Sequence, residues 1–460
     1  MLNLIIEVSQ YVIILLFIVY TLQCYISQIG GLKNATRNHF YHWQRIIIYL
    51  IHMLASNLIY IVTDDSRMVV LYIAQFVLIT VIQCFYLFFY PKASRLLTNN
   101  MCMLLTIGFV MITRISPERA IKQTMIAAAS TVLAFFVPVC IKGIGFVRKL
   151  YPVFAVGGLG CLLAVLVTGI ISYGAKLSIS IVGVAFQPAE FVKITFIFFV
   201  AGMLYKNPGF KRVCITTILA AAHVLILVAS KDLGAALIFF VVYLMMLVVS
   251  TKNLLYLLAG TGAGGIACVI AHKLFAHVRV RVLAWQDPLA VIDKEGYQIS
   301  QSLFAIGTGG WLGLGLYKGE PNKIPVVVQD FIFSAIAEEF GGIFAVCLIL
   351  VCLSCLLLFL NIAKQIKDPF HKLLALGLGT LYGFQVFLTI GGVTNFIPST
   401  GVTLPLVSYG GSSILSSVII FAIVQGLYII KQDEEIADEK RRKKATAKSE
   451  SKRSKKSREN

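Results

Sequence analysis

The residues best suited to carry chemistry lie in one stretch, 296–342, where a glycine-rich loop runs into acidic side chains. Asp330 stands where this loop meets a long apolar run, 331–360, and Ser334 and Glu338 follow at four-residue spacing. On a helix, this spacing places the three polar groups along one side. Carboxylates at the mouth of a membrane helix are costly, which indicates a functional site.

Asp330 has two interpretations. As a helix N-cap, it would accept hydrogen bonds from the first turn and stabilise the positive end of the helix dipole. As a catalytic base, it would take a proton from a hydroxyl group at the membrane surface, and the helix N-terminus would keep it ionised. Glu339 adds a second carboxylate beside Glu338. Asp330 alone favours the cap, whereas its surroundings favour the base.

Further charged groups stand at the starts of other apolar runs. Glu190 and Lys193 follow Gln187-Pro188 at i, i+3 spacing and can pair on one helix face. The pair is either a structural ion pair between buried charges or part of a site. Asp232 lies between two apolar runs, where it either caps the second helix or joins the site.

Two outer loops supply more polar groups. Arg281, in the segment RVLAWQDP, is a natural partner for a phosphate, while Trp285 is typical of a membrane-interface anchor. The segment 395–413 is too apolar for a solvated linker and too rich in Pro and Gly for a span. This composition predicts a re-entrant segment that lines an enclosed polar cavity. Candidate hydrogen-bond donors to a polar headgroup in these loops are Gln298, Ser408 and Ser412.

The elements that must position these residues are membrane helices. The chain has 460 residues, 58% hydrophobic and 13% charged, and its apolar runs recur at spanning length. These features predict an all-α polytopic membrane protein. Thirteen spans are expected, at about 4–25, 46–63, 68–90, 100–116, 123–141, 150–173, 188–205, 214–230, 233–250, 254–271, 331–360, 373–394 and 411–430. The ten cysteines lie in or beside apolar runs without metal-ligand spacing, so they are predicted to be small buried side chains.

Loop charges predict the orientation. Basic loops alternate with acidic, short or glycine-rich ones, which places the basic loops and the C-terminus in the cytoplasm and Met1 and Asp330 outside. Arg114, Arg119 and Lys122 run against this alternation. At the outer face neither ATP nor sugar nucleotides are available, and no nucleotide-binding motif is present. The net charge of +19 sits largely in the inner loops and the tail, so nucleic-acid binding is not predicted.

Three regions are expected along the chain. Residues 1–99 form three extra spans, residues 100–430 form a core of ten spans with a large outer loop before the eleventh span, and residues 431–460 form a tail. The tail has 12 Lys or Arg against 7 acids and no apolar face. It is predicted to be disordered and attracted to anionic lipid headgroups.

The core resembles the SEDS family, which comprises the FtsW, RodA and SpoVE proteins. The resemblance covers about residues 100–430, and the family has ten spans, as the core is expected to have. The stretches that carry it are QPAEFVK, KDLG, residues 281–288, GYQISQSLFAIGTGGWLGLGL, DFIFSAIAEEFG and GVTLPLVSYGGSS. Residues 1–99 and the tail lie outside it.

The chain departs from the family pattern in places. Val326, Val328 and Gln329 stand where members usually have an acidic residue followed by His-Thr just before the motif aspartate. Upstream of the QP motif the usual Arg-Trp is missing, and Lys231 replaces the usual Pro before the DLG motif. These departures concern contacts to the substrate headgroup more than the core chemistry.

The resemblance also implies a reaction. Members polymerise lipid II, the lipid-linked disaccharide precursor of peptidoglycan, usually with a class B penicillin-binding protein, in complexes for cell division, elongation and cell shape, or sporulation. It implies that Asp330 is the essential catalytic residue and that Glu190, Lys193 and Asp232 are functionally sensitive.

These observations predict an external peptidoglycan glycosyltransferase of the cytoplasmic membrane, with lipid II as donor and acceptor. Asp330 would act as the base, and Arg281 and Lys193 would stabilise the charge of the pyrophosphate leaving group. Other candidate substrate-binding residues are Glu190, Asp232, Gln298, Glu338, Ser408 and Ser412. A divalent cation bridging the pyrophosphate and a carboxylate stays open, because no ligand spacing predicts one.

Two rival functions follow from the same sequence. A lipid II flippase is the first alternative, because charges inside polytopic proteins often mark transport. The chain shows no inverted repeat, and its polar groups gather at the outer ends of spans, which favours the glycosyltransferase. A scaffold without catalytic activity is the second alternative, and the presence of Asp330 argues against it.

Overall fold

Apolar runs of spanning length form helices here, because a chain in lipid must satisfy its backbone hydrogen bonds internally. The computed structural model describes residues 2–143, 147–172, 175–181, 184–206 and 208–456. The first helices are α1 (Leu2–Ile26), α2 (Asn34–Thr63), α3 (Ser66–Phe89), α4 (Arg95–Ile115), α5 (Pro117–Ala134), α6 (Val137–Lys142) and α7 (Tyr151–Thr168). They are followed by α8 (Pro188–Leu204), α9 (Phe210–Ala229), α10 (Leu233–Thr251), α11 (Leu255–Leu274), α12 (Ala276–Gln286), α13 (Tyr297–Gly309), α14 (Ile332–Gln365), α15 (Pro369–Val393) and α16 (Gly411–Lys456).

The predicted polytopic all-α fold is confirmed. Twelve candidate membrane spans occur among the described residues. Helix α8, with 17 residues, lies at the lower limit of length for crossing a bilayer. Twelve of the thirteen predicted spans fall on a helix or a pair of consecutive helices, whereas the span predicted at 150–173 is too long, because α7 ends at Thr168 and a strand follows. The large loop before α14, called the outer loop after its predicted position, contains two helices, α12 and α13.

A small antiparallel meander between α7 and α8 is an addition to the prediction. Its strands are β1 (Ile170–Ser172), β2 (Ala175–Ile181) and β3 (Val184–Phe186), and they pair in the order β1-β2-β3. Residues 173–174 and 182–183, which belong partly to the predicted span 150–173 and the predicted outer segment 174–187, lie outside the described residues.

The N-terminal helices α1, α2 and α3 cover α4. The most apolar part of α4 is completely buried inside the protein. Tyr20 Oη and Cys24 Sγ of α1 donate to Asn100 Oδ1 of α4, at 2.9 and 3.2 Å, and Asn100 Nδ2 donates to Ser354 Oγ of α14 at 3.2 Å. Buried polar contacts of this kind fix the register of neighbouring membrane helices. That residues 1–99 form a unit separate from the core stays a prediction.

The glycine-rich loop 310–315 packs its backbone into a break in α14. Gly341 has φ +85° and ψ 171°, so the helix is interrupted there. Around the break, Gly342 N donates to Gly310 O at 2.8 Å and Leu314 N donates to Glu338 O at 3.0 Å. Such close backbone approach leaves no room for side chains. Packing therefore explains Gly313, whereas Gly310 has open space at its Cβ position and is explained by its φ of +53°.

Gly341→Ala is expected to lower the free energy of unfolding by about 1–3 kcal/mol, because only glycine adopts this backbone conformation without strain. A Cβ at this position would also overlap the backbone nitrogen of Gly313. Unfolding of the purified protein in mixed micelles checks this. Gly265→Ala, in helix α11 with nothing near its Cβ position, is the matched control and should not lower stability but raise it by up to about 1 kcal/mol.

The prediction of a disordered tail is wrong for most of its length, because α16 continues from the membrane through residue 456. Acidic residues of the extension meet basic loops. Asp433 pairs with Lys92 and with Lys142, the latter at 2.9 Å, and Asp438 pairs with Lys367. The extension is rich in Glu, Lys, Arg and Ala, which favour a helix, and these contacts with distant loops add to its stability.

The segment 394–410 folds back into the protein, which confirms its predicted re-entrant character. Leu404, Leu406 and Val407 are buried. Val407 O would lie 2.6 Å from a Cβ at Gly108, which belongs to the interior of α4. This buried backbone is tolerated because helices enclose it.

Candidate active site

The re-entrant segment gathers the start of α8 and the residues before α14. Gln187 N, just before α8, donates to Ser412 Oγ at 2.9 Å. Tyr409 N donates to Val328 O at 2.7 Å, two residues before Asp330. The QP motif and the loop that carries Asp330 are thus held by the same stretch of chain.

The starts of α10 and α12 contact the same segment. A Cβ at Gly234, in the first turn of α10, would lie 2.9 Å from Thr400 O, so the helix begins directly against it. Arg281 Nη1 of α12 donates to Ser399 O at 2.9 Å. Polar groups that lie far apart in the sequence therefore converge on residues 399–403.

Trp285 fixes α12 to this segment. Its Nε1 donates to Asn395 O at 3.1 Å, and Asn395 Nδ2 donates back to Trp285 O at 3.1 Å. The indole thus has a partner inside the protein, beyond the interface-anchor role predicted for it. Because Arg281 lies one turn earlier on α12, this reciprocal pair sets the position of its guanidinium.

Glu190 and Lys193 form the ion pair that their spacing predicts. Lys193 Nζ lies 2.8 Å from Glu190 Oε1, and the side chains are only 3% and 12% exposed. Lys193 Nζ also donates to Gln385 Oε1 at 3.0 Å, and Ser416 Oγ donates to Glu190 Oε2 at 2.7 Å. Gln385 and Ser416 were not singled out in the sequence, and the one signal for Gln385 is a Gln inside an apolar run. The pair belongs to a buried network that joins α8, α15 and α16.

Loss of one member of this pair is expected to cost more stability than loss of both. Glu190→Gln or Lys193→Met leaves a buried charge without its counter-ion, and each should lower the free energy of unfolding by about 3–5 kcal/mol. The double variant Glu190→Gln/Lys193→Met should recover part of that loss. Unfolding in mixed micelles measures the coupling. Additive single effects would show that the pair contributes nothing.

Asp232 caps helix α10, as one of its two interpretations predicts. Its Oδ1 accepts from Ala235 N at 3.0 Å. Burial raises the pKa of this carboxyl above its ordinary value, the capping bond lowers it, Glu190 raises it, and Lys193 and Arg281 lower it. Asp232 therefore lies within electrostatic reach of the buried ion pair and of Arg281.

Asp330 is not a helix cap. Helix α14 begins at Ile332, and its N-cap residue is Phe331, which makes no side-chain capping bond. Within the described part of the chain, the Asp330 carboxylate accepts no hydrogen bond. The residue is partly buried, in a turn between the outer loop and the helix. Its carboxylate is consequently available to an incoming group.

Arg281 and Asp330 face each other across Gly401. A Cβ placed on Gly401, which has φ +72°, would lie 3.6 Å from Asp330 Oδ2 and 3.6 Å from Arg281 Nη2. Burial raises the pKa of Asp330 to about 6, while nearby Arg281 lowers it. Desolvation is the larger of these two effects, and a pKa of about 6 still leaves the carboxyl mostly ionised at neutral pH, as predicted for a base. A value near neutrality suits a group that must accept a proton.

The other predicted polar residues have structural partners. Gln298 Nε2 donates to Pro325 O at 3.0 Å, which braces the loop before Asp330. Ser408 is buried, and its Oγ accepts from Leu404 N at 2.9 Å inside the re-entrant segment. With Ser412 bound to the start of α8, the structure gives these side chains positioning contacts within the protein.

The three polar groups expected along one side of α14 do not share one environment. Asp330 precedes the helix. Ser334 Oγ lies 2.6 Å from Ser302 Oγ of α13 and is fully buried. Glu338 Oε1 accepts from Glu320 N at 3.0 Å, on the side of the outer loop. The prediction placed Asp330 in the first turn of the helix, but α14 begins at Ile332. The predicted alignment of Asp330 with Ser334 and Glu338 on one helix face is therefore wrong.

Glu339 pairs with Arg114, a residue not predicted to belong near the site. Arg114 Nη2 lies 3.0 Å from Glu339 Oε1, the side chains are 10% and 0% exposed, and the guanidinium stacks on Tyr317 at 3.9 Å. Arg114 Nη2 also donates to Gly319 O at 3.2 Å. The signal for this pair was present in the sequence, since Arg114 breaks the charge alternation of the loops.

The described geometry can be compared with known proteins. The family model of the FtsW, RodA and SpoVE cell cycle proteins matches residues 94–432. The peptidoglycan glycosyltransferase RodA of Mycobacterium tuberculosis is 37% identical over 267 residues, which are 55% of this chain and 57% of the relative. The probable peptidoglycan glycosyltransferase FtsW of Geobacter sulfurreducens is 35% identical over 280 residues, 58% of this chain and 74% of the relative. The chain thus spans little more than half the length of the mycobacterial relatives it matches.

Solved structures share the fold. The rod shape determining protein RodA of Thermus thermophilus superimposes with a TM-score of 0.55 at 22% identity, over 74% of this chain and 97% of that one. A chain from a study of "polymerization and crosslinking by a peptidoglycan synthase complex" gives a TM-score of 0.64 at 24% identity, over 74% of this chain and 98% of that one.

Proposed function

Because the chain belongs to the FtsW, RodA and SpoVE family of cell cycle proteins, we propose that it is a peptidoglycan glycosyltransferase that polymerises lipid II at the outer face of the cytoplasmic membrane. The observation that carries the proposal is the carboxylate of Asp330. It accepts no hydrogen bond within the described chain, its pKa is raised to about 6, and it faces a guanidinium at the end of the membrane helices. The names of the relatives point to the same reaction.

Asp330 would take the proton of the acceptor sugar hydroxyl. The hydroxyl oxygen then forms a bond to the anomeric carbon of the donor sugar, and the bond from that carbon to the pyrophosphate oxygen breaks. The proton remains on Asp330 and is later lost to water, while undecaprenyl pyrophosphate departs with the bonding electrons. Such a step requires a base whose pKa lies near the working pH.

Arg281 is the cation placed to stabilise the departing pyrophosphate. Its side chain is exposed, and among the described residues Ser399 O is the one hydrogen-bond acceptor it meets, at Nη1. Lys193, the other predicted cation, is buried, and its ammonium group is held by Glu190 and Gln385. We therefore assign Lys193 a positioning role and leave contact with the pyrophosphate to Arg281, whose planar donors suit phosphate.

A divalent cation on the pyrophosphate remains part of the proposal as an open point. Among the described residues, no group of three or more His, Cys, Asp or Glu side chains is placed to hold a metal ion. A cation would have to be held jointly by substrate phosphates and one or two carboxylates, an arrangement common for Mg²⁺.

The proposed orientation places Asp330 outside and the tail inside. Its support is the charge alternation, together with the pairing of the tail acids with Lys92, Lys142 and Lys367 of the basic loops. Arg114, which ran against the alternation, is neutralised by Glu339.

Single cysteines test this orientation. Asn322→Cys, in the exposed loop before Asp330, is expected to react with a membrane-impermeant maleimide on intact cells, whereas Lys440→Cys, exposed on the tail, should react only after permeabilisation. The parent protein, with its ten native cysteines, supplies the background. The reverse labelling pattern would place Asp330 in the cytoplasm and would contradict the proposed reaction at the outer face.

The decisive experiment supplies purified protein with lipid II, with and without a class B penicillin-binding protein, and measures glycan polymer. That partner class is proposed from the family resemblance and from the synthase complex in which a similar chain occurs. A lipid II flippase would move the lipid between leaflets of a vesicle without making polymer. Polymer that depends on this chain supports the glycosyltransferase, and transport without polymer would overturn it.

A further inference from the structure

A cleft with two arginines lies between the extra helices and the core, at the end of α4 opposite Arg114. It is formed by α2, the end of α3 and the start of α4. The lining residues are Arg45, Gln83, Tyr86, Leu87, Tyr90, Pro91, Ala93, Arg95, Thr98 and Asn99. None of them is acidic. The cleft therefore carries a net positive charge with no counter-ion of its own.

The guanidiniums of this cleft are only partly engaged. Arg45 Nε donates to Tyr41 O at 3.4 Å, and Arg95 Nη1 donates to Asn38 Oδ1 at 3.2 Å. In the part of the chain that the structure describes, neither forms an ion pair with a carboxylate. The remaining N–H donors of both groups are free to bind an anion, and paired guanidiniums match the geometry of phosphate oxygens.

Gln83 supplies an independent indication of a ligand. The residue is only 6% exposed, and its Oε1 accepts from Tyr49 Oη at 3.3 Å. Among the described residues, its Nε2 is buried with no oxygen or nitrogen acceptor, and only the thiol of Cys102, a weak acceptor, is near it. An unpaired buried donor destabilises the folded protein unless a ligand or a water molecule accepts its hydrogen bond. The cleft encloses about 30 Å³, enough for one water or one phosphoryl oxygen.

The surroundings of the cleft are apolar and exposed. Phe88 and Phe89, beside the lining residues at the end of α3, are 74% and 71% exposed, and Trp43 on α2 is 45% exposed. Aromatic side chains in this position are typical of the membrane interface. They would border the acyl chains of a lipid, but would offer nothing to a soluble phosphate.

We propose that this cleft binds the phosphodiester headgroup of an anionic membrane lipid, in the leaflet opposite Asp330. Arg45 and Arg95 hold the phosphate, and Gln83 donates to one of its oxygens. Basic pockets between membrane helices on the cytoplasmic side commonly take such headgroups. Because α2 and α3 belong to the extra spans and α4 to the core, the bound lipid would join the two parts.

The test uses the full-length protein in detergent micelles doped with dioleoyl phosphatidylglycerol, dioleoyl phosphatidylcholine or inorganic phosphate. Phosphatidylglycerol is expected to raise the Tm and to be retained in native mass spectra, whereas phosphatidylcholine and millimolar phosphate are not. Each basic residue near an anionic lipid contributes about 1 kcal/mol, so Arg45→Gln/Arg95→Gln should weaken phosphatidylglycerol binding roughly 30-fold.

Two further variants separate binding from folding. Gln83→Leu removes the unpaired donor and is expected to weaken phosphatidylglycerol binding severalfold while leaving the lipid-free Tm unchanged or higher. Lys364→Gln/Lys372→Gln removes the same charge from exposed residues elsewhere at this end of the helices and should leave binding unchanged. Equal loss in this control, equal binding of both lipids, or displacement of phosphatidylglycerol by inorganic phosphate would overturn the proposal.

Discussion

Asp330→Asn is expected to slow polymerisation of lipid II by on the order of 10²–10⁴, the usual contribution of a general base. Asparagine keeps the size of the side chain but cannot accept the proton. Since Asp330 makes no capping bond to α14, the substitution removes no contact on which the helix depends. The measurement is the initial rate of polymer formation by the purified variant, with lipid II binding determined in parallel.

The stability of this variant should not fall at neutral pH. The pKa of Asp330 is raised to about 6 in the folded protein, above its ordinary value of 3.8. A raised carboxyl pKa means that the protein is destabilised as the pH rises through the interval between these values and Asp330 ionises. Asparagine does not ionise, so the variant should be at least as stable as the parent at pH 7. A loss of activity in Asp330→Asn would therefore reflect a slower reaction and not a loss of folded protein.

The same pKa predicts the acid limb of the rate profile. Below about pH 6 the base is protonated, so kcat/KM should fall about tenfold for each further pH unit. In Asp330→Asn this limb should disappear from the residual activity. Asp287→Asn, on the same outer loop, is the matched control and should keep both rate and limb. Polymer formed by Asp330→Asn at more than about a tenth of the parent rate would be hard to reconcile with Asp330 as the base.

Arg114→Leu is expected to lower the free energy of unfolding by about 3–5 kcal/mol, because it leaves the carboxylate of Glu339 buried without its counter-ion. Glu339 is fully buried, and its Oε2 already lacks a partner. Its other described partner, Tyr317 N at 3.1 Å, cannot neutralise the charge. The free energy of unfolding in mixed micelles measures the loss.

Two comparisons establish the origin of that loss. Arg114→Leu/Glu339→Gln removes both charges and should recover most of the stability, since replacing a buried pair costs far less than breaking it. Arg119→Leu removes a cation at the same end of the helices that only approaches the ring of Tyr409, at 5.8 Å, and should change stability by less than about 0.5 kcal/mol. If the double variant were as unstable as Arg114→Leu, lost packing and not the unpaired charge would be the cause.

Local patterns predicted what depends on local chemistry. Apolar runs of spanning length became helices, because lipid leaves the backbone no other way to satisfy its hydrogen bonds. The Glu190–Lys193 pair and the cap at Asp232 were predictable, since both depend on residues three apart on one helix. The re-entrant segment was predictable from its composition, which suits neither water nor a lipid-facing span.

The features that were missed depend on contacts between distant parts of the chain. Helix α14 starts after Asp330 and not at it, because Tyr409 and Gln298 hold the preceding loop by hydrogen bonds to its backbone carbonyls. Helix α16 extends into the tail, where Asp433 and Asp438 meet lysines of remote loops. A single sequence contains no signal for which lysine an aspartate will meet.

Helix α16 mechanically connects the site to the opposite side of the protein. Its early turns touch the site through Ser416, which donates to Glu190, and near its middle Asp433 pairs with Lys142 on the opposite side of the protein. The 46 residues form one rod about 70 Å long, stiff along its axis. A displacement of the helix at Asp433 would therefore be transmitted along about 25 Å of α16 to Ser416 and Glu190.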